Sequence, residues 1–444
     1  MLAPAAPRWL RPLAPPARAW KEVPEQRLGR LECLESSQSS RTSGTWLIAA
    51  LILALLIPTE LSLRLGPLRL SPYRCVLIAA FVPLALRWST GRAGRVTGID
   101  LAVLGFALWG WVALAVNAGA AASIEPGGIL LLESFGAYLV GRTLVRDRAT
   151  FAGLCRVAVL ACALSLAVSL PESLSGRRFV HQTLGAFLPG APTFVVEPRF
   201  GLARAFGTFD HPILNGVFAS TCLALAWYGC GPAGIGGRVS RVLLVTASAM
   251  TSLSSGAFLS MAVQIGLASY RRAARALPRR WLLLVLALLT AYGIVSALSS
   301  RSGLQALIWY LAFDRTTASY RLLIWEHGSN SVGANPWFGV GQGEWERPEW
   351  MSGSVDSFWL MTTMSFGLPA LLLVSAAIVG SLVRAGRRIR GDAAEDRARF
   401  GWILAWIALV FAGFTVHYWN NVFAFLWLLL GAGAWMGETR RRAA

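Results

Sequence analysis

Charge is scarce in this chain. Only 14% of its 444 residues are charged while 55% are hydrophobic, and mean hydropathy is +0.55. An ordinary soluble domain is about a quarter charged, so a soluble globular fold is excluded. Paired cysteines are also lacking. Cys33, Cys75, Cys155, Cys162, Cys222 and Cys230 form no CxxC, and none lies in a long loop, so neither a disulfide framework nor a thiolate metal site is expected. The four histidines (His181, His211, His327 and His417) show no metal-ligand spacing, there is no HExxH, and no DxD stands in an outer loop. Those gaps point to a site without metal or other cofactor. The first residues hold no apolar core of signal-peptide length, and no internal repeat or low-complexity tract stands out beyond them.

What the chain does have is a series of apolar runs reaching the roughly 20 residues needed to cross a bilayer. They predict an all-α, polytopic membrane protein of about twelve spans. The spans start near Thr45, Tyr73, Gly98, Ile124, Phe151, Pro212, Arg241, Ala257, Trp281, Ser357, Gly401 and Asn420. Residues 1–44, rich in Pro, Arg and Ser, are expected to form a disordered cytosolic tail ahead of a single transmembrane domain over 45–440. The formal net charge of +19 invites a nucleic-acid partner. The arginines instead sit mainly between apolar segments, where loop charge sets orientation.

With the tail inside, the cytosolic loops carry Arg87, Arg92 and Arg95, then Arg142, Arg146 and Arg148, then Arg238 and Arg241. Further loops follow at Arg271 to Arg280 and Arg384 to Arg390, and Arg440 to Arg442 close the chain, so both termini are expected in the cytosol. Arg64, Arg69 and Arg74 fall outside, as an interfacial segment whose side chains reach headgroups. Two long loops face outward, Pro171 to His211 and Ser299 to Asp356, and all four histidines lie in them or at outer span ends.

Several clusters on that side could carry chemistry. In GLARAFGTFDHPILNG (Gly201 to Gly216), Pro212 suits a first helical turn with Asp210 or His211 near its cap. Arg204 beside that N-terminus would suit a phosphate group. Arg321 stands four residues before Trp325, so the two share a helical face: either a stacked pair or a second cation for a diphosphate. The run GVGQGEW (Gly339 to Trp345) lacks the GK[ST] of a nucleotide loop. It is read as a turn that brings backbone close to a ligand. In SVDSFWL, Asp356 is either an N-cap or a general base whose pKa is raised by partial shielding. Glu133 lies deep in a span and needs a partner or a polar cavity. Arg142, about two and a half turns away, is not an obvious direct one. Trp337, Trp345 and Trp350 suit either sugar rings or an interfacial belt.

The order RAFGTFDHP, TSLSSGAFL, RLLIW, NPWFGVGQG and SVDSFWL resembles the O-antigen ligase and Wzy-type polymerase superfamily, over about Glu133 to Leu373. The resemblance implies a GT-C-like fold in the bacterial inner membrane. It also implies inverting, metal-independent glycosyl transfer on the periplasmic face. The donor would be an undecaprenyl-diphosphate-linked glycan, and the acceptor a glycan or lipid A-core, with a chain-length regulator as a further partner. By that analogy Arg204 and Arg321 bind the diphosphate, while Asp356, His211 or Glu326 supplies the base. Asp356 stands where many ligases carry a histidine, which favours a polymerase slightly. The family's arginine in the SRG-like segment is replaced here by Ser254, Ser255 and Gly256. Arg199, Asp210, Glu133, Trp325 and Trp345 are the remaining cavity candidates. A transporter or flippase of the same lipid-linked saccharide is the competing class, and it would need ionisable or broken-helix positions near the midplane.

Overall fold

Helices begin within four residues of ten of the twelve expected positions, and six and eight residues ahead of Arg241 and Gly401, in the computed structural model, which describes residues 44–65, 68–187, 196–298, 305, 315–387 and 392–438. The expected tail over 1–44 apart from Gly44, part of the second outer loop, and Arg440 to Arg442 lie outside the described residues. In chain order the helices are α1 (Gly44–Ala54), α2 (Pro72–Ser89), α3 (Gly98–Ala118) and α4 (Ala120–Leu131). A π-turn (Leu132–Gly136) joins α4 to α5 (Ala137–Leu144). Then come α6 (Arg148–Ser175), α7 (Phe179–Phe187), α8 (Pro212–Ala224), α9 (Ile235–Met250), α10 (Ser255–Ala273) and α11 (Arg280–Leu298). The last are α12 (Arg315–Ala334), α13 (Phe358–Gly386), α14 (Ala393–Ala412) and α15 (Asn420–Ala432). A two-stranded hairpin, Leu63–Leu65 with Leu68–Leu70, accompanies them.

Five segments among the described residues are long and apolar enough to cross a membrane: α3, α6, α11, α13 and Asn420–Gly437. The chain is therefore a multi-pass, essentially all-helical protein, although most of the twelve helix starts do not open segments that meet that length and apolarity. Local sequence explains where the long helices begin. Thr97 and Asp100 form a capping box at the head of α3, and Asp147 and Thr150 form another at the head of α6. The core is tryptophan-rich, with Trp402, Trp406 and Trp427 fully buried around Tyr138, Phe106 and Phe218.

Three expectations need correction. The first outer loop does not begin at Pro171, because α6 continues to Ser175 and α7 follows. Proline is tolerated where neighbouring groups satisfy the freed backbone, and Glu172, polar enough to suggest a loop, is a buried anchor described below. The second loop is helical over much of its described length, since α12 covers Arg315–Ala334. Arg142 is no loop cation. It is 1% exposed and donates from Nε to Asp100 Oδ1 at 2.8 Å, with further donations to the carbonyls of Ala93 and Arg95. A charge buried that deeply persists only when paired and hydrogen-bonded.

Candidate active site

The segment carrying Arg204 is held in extended form from both sides. Glu172, at the end of α6, accepts the backbone N–H groups of Phe206 (3.1 Å) and Gly207 (2.8 Å). On the other side Ala205 N–H donates to Thr251 O at 3.0 Å. Gly207 has φ +62 with the Ser165 hydroxyl close by, a conformation L side chains rarely adopt. This clamp directs Arg204 Nε to Ser252 O (3.3 Å), while Arg199 donates to Leu253 O (3.0 Å). The Thr251 to Ser254 turn thus supplies carbonyls that orient two arginines from another loop. Burial lowers the Arg204 pKa to about 10, and the cations of Arg199 and Arg321 push the same way.

Arg321 comes from α12 and is 8% exposed. Its Nε has no hydrogen-bond partner among the described residues, and Asp356 Oδ2 stands 3.8 Å away. Burial pulls its pKa down, Asp356 opposes that, and Arg199 reinforces it. Asp356 is half-buried, and that burial lifts its carboxyl above the usual range against the pull of Arg321 and Arg204. Asp356 is not the cap of α13: Ser357 is, accepting from Leu360 N–H. The Asp356 carboxylate is thereby left facing the arginines. Arg199, Arg204, Arg321 and Asp356 form one electrostatic cluster.

The other candidates separate. His211 caps α8, its Nδ1 accepting from Ile213 N–H at 3.1 Å. Burial drives its pKa to about 4, with Arg204 and Arg178 adding to the shift. A neutral imidazole whose Nδ1 is so engaged carries its proton on Nε2, which suits a donor better than a base. Glu326 is exposed on α12, and five positions along a helix from Arg321 point it to a different face. Trp325 and Trp345 pack with Ile324, Met351 and Val355 inside the second outer segment, where Trp345 Nε1 donates to Gly353 O at 3.1 Å. Of the described tryptophans in that segment, Trp337 (67% exposed) and Trp350 (68%) are the open ones.

Glu133, in the π-turn, is paired with Arg74 at 2.8 Å and accepts from Tyr73 Oη at 2.5 Å. Arg74 therefore reaches inward and not to headgroups, a correction that spacing along one helix could not reveal. Arg74 also donates to Asn420 Oδ1 (3.3 Å), Asn420 donates to Asp210 Oδ2 (2.7 Å), and Thr59 donates to Asp210 Oδ1 (2.6 Å). Asp210 is thus a tie between loops. π-turns are often found at functional sites.

The glycine run brings its backbone up against a broken helix, and Gly341 also lines a cavity there. Gly367 (φ 81, ψ 176) interrupts α13. Carbonyls freed by the break accept from Val340 N–H (to Met364, 2.8 Å) and Gly341 N–H (to Ser365, 3.0 Å), while Leu368 N–H donates to Pro336 O (2.8 Å). A Cβ on Gly339 would collide with Met364 O, and one on Gly367 with Trp337 O.

One ion pair had no sequence signal. His181 on α7 meets Glu60 at 2.9 Å, both largely buried. Burial opposes the charge on each, yet the pairing holds Glu60 below its ordinary 4.5 and raises His181 above its ordinary 6.5. The His181 contribution is complete below pH 6.5 and fades as pH rises through the elevated value; that of Glu60 is complete above 4.5 and fades as pH falls through the depressed one. Docking of α7 should therefore be tightest between those pH values. Proteolysis at α7, corrected for protease activity, should rise several-fold from pH 6 to pH 8.5 in wild type and be fast and nearly pH-independent in His181→Ala.

Among the described residues no group of three His, Cys, Asp or Glu side chains could hold a metal ion. Residues 241–375 match the family model Wzy_C, described as O-antigen ligase. That segment is an O-antigen ligase/polymerase superfamily domain, and it contains the 251–254 turn, Arg321, the glycine run and Asp356, whereas Arg204 and Glu133 precede it. A search of curated proteins matches none to this chain.

Proposed function

We propose that this chain, a multi-pass membrane protein with an O-antigen ligase-type domain over residues 241–375, transfers glycan from undecaprenyl diphosphate to a hydroxyl acceptor on the periplasmic face. The observation that carries this reading is Arg321: a buried guanidinium whose Nε has no hydrogen-bond partner among the described residues, facing Arg204 and Asp356. Burying an unsatisfied cation costs several kcal/mol, a cost that an incoming dianion offsets. Arg204 and Arg321 grip the diphosphate, with Arg199 in support. Fixed donors in a partly dry site stabilise the charge that develops as the sugar leaves.

In the proposed step the acceptor oxygen bonds to the anomeric carbon as the bond from that carbon to the diphosphate oxygen breaks. Asp356 takes the hydroxyl proton, and the lipid diphosphate departs with the electron pair. A single displacement inverts the anomeric configuration. The leaving group is already activated, so no nucleotide or metal is required of the protein.

The transporter alternative rests on Glu133 in its π-turn, but that carboxylate is paired with Arg74. Gene deletion followed by gel analysis of surface glycan tests the proposal and separates its two forms. Single capped repeats are expected if the chain is a polymerase, and bare lipid A-core with accumulated lipid-linked polymer if it is a ligase. Unchanged surface glycan would overturn both.

A further inference from the structure

A second polar feature lies beside the arginine cluster and takes no part in it. A cavity of about 240 Å³ opens between α3, α4, α13 and the start of α15, with Gly341 and Gln342 at its rim. Its polar lining includes Arg74, Glu133, Gln342, His417 and Asn420, set among aromatic rings such as Phe106, Phe358 and Trp419. We propose that this cavity is a saccharide site, in which His417 and Gln342 hydrogen-bond the hydroxyls of one sugar unit of the acceptor or donor glycan. The proposal rests on the glycosyl-transfer reading and adds to it where the neutral part of the substrate sits.

Three observations carry it. The first is charge. Arg74 and Glu133 neutralise each other at 2.8 Å, and burial holds His417 neutral, with its pKa near 4. The lining thus carries no net charge, and its polar groups stand among aromatic rings and aliphatic side chains such as Leu114, Ile129 and Leu130, which suits the polar and apolar faces of a neutral sugar and not a phosphate. The second is unfilled hydrogen-bonding capacity. His417 has a ring contact with Trp419 at 5.6 Å and no hydrogen bond described to any residue. A neutral imidazole offers one donor and one acceptor, as a sugar hydroxyl does. A cavity of about 240 Å³ is on the scale of a single sugar unit.

The third observation is position. Phe358 N–H donates to Val416 O at 3.0 Å, which pins the His417 loop next to Asp356. Trp419 lies between His417 and His211, 6.0 Å from the latter, and His211 is within the field of Arg204. Asn420, which adjoins Trp419, takes φ 49, left-handed for a non-glycine residue. Such a conformation is held by its surroundings, here Arg74 and Asp210.

The test is equilibrium binding to the full chain in lipid nanodiscs. The probes are radiolabelled neutral hexose and N-acetylhexosamine oligosaccharides and, separately, undecaprenyl diphosphate without sugar. Wild type should bind at least one oligosaccharide saturably. His417→Leu and Gln342→Leu should each weaken that binding at least tenfold, His417→Gln should recover part of it, and affinity for undecaprenyl diphosphate should change less than twofold. The proposal is overturned if no oligosaccharide binds saturably, if the two leucine variants bind as wild type does, or if they instead lose a co-purifying lipid. Should the sugar binding behave as expected while no lipid-linked glycan is ever turned over, the glycosyl-transfer reading fails and the saccharide site stands.

Discussion

Arg321→Ala should lower glycan transfer at least 100-fold while the protein still inserts and folds. Removing one fixed donor from developing charge typically costs 10²–10³ in rate. The same change should leave thermal stability unchanged or slightly higher. Arg321 is 8% exposed, its Nε lacks a hydrogen-bond partner among the described residues, and its closest carboxylate is 3.8 Å away, so the folded protein carries its desolvation cost with little return. A structural arginine behaves oppositely: Arg142, bonded to Asp100 and two backbone carbonyls, should cause loss of folded protein when truncated. Arg321→Lys keeps the charge but loses the planar fork that matches a phosphate, and activity between wild type and alanine is expected. A measured loss of stability in Arg321→Ala equal to its loss of activity would mark Arg321 as a packing residue.

The second large effect is expected far from any charge. Gly367→Ala places a methyl group against the carbonyl of Trp337 at a backbone angle of φ 81, ψ 176. Strained backbone costs about 1–3 kcal/mol and forced overpacking a similar amount. The change should therefore destabilise the protein by roughly 2–6 kcal/mol and undock the segment from Pro336 to Gly341. Melting of purified protein checks this, with Gly386→Ala, where the added Cβ meets open space, as the control. Activity should fall with stability, because that segment joins α12, which carries Arg321, to the loop bearing Asp356. A Gly367→Ala protein as stable as wild type would mean that the interrupted helix is not held by the glycine run.

Much of this architecture was legible in residue order. Apolar runs located the helix starts, and the capping residues Thr97 and Asp147 mark their heads. Arg204 and Asp356 stood out beside helix N-termini, and Arg321 by its place four residues before Trp325. What stayed hidden depends on long-range pairing. Arg74 with Glu133 joins residues 59 positions apart, and Glu60 with His181 joins residues 121 apart, separations that no helical period encodes. The break in α13 against which the glycine run packs was hidden for a related reason. Sequence signals that backbone must pass close to something at Gly339 and Gly341, but the something is a break in α13. His417 gave no cavity signal because the residues that line its cavity come from elements far apart in the chain.

The central claim is that Arg204 and Arg321 together hold a lipid diphosphate. It is tested most directly by titrating the purified full-length protein, in nanodiscs, with undecaprenyl diphosphate and with undecaprenyl monophosphate. Charge-assisted hydrogen bonds contribute about 1.5–3 kcal/mol each. The account predicts tighter binding of the diphosphate and at least a 100-fold loss of its affinity in the Arg204→Ala, Arg321→Ala double variant. Equal affinity for the two lipids, or an unchanged affinity in the double variant, would contradict it.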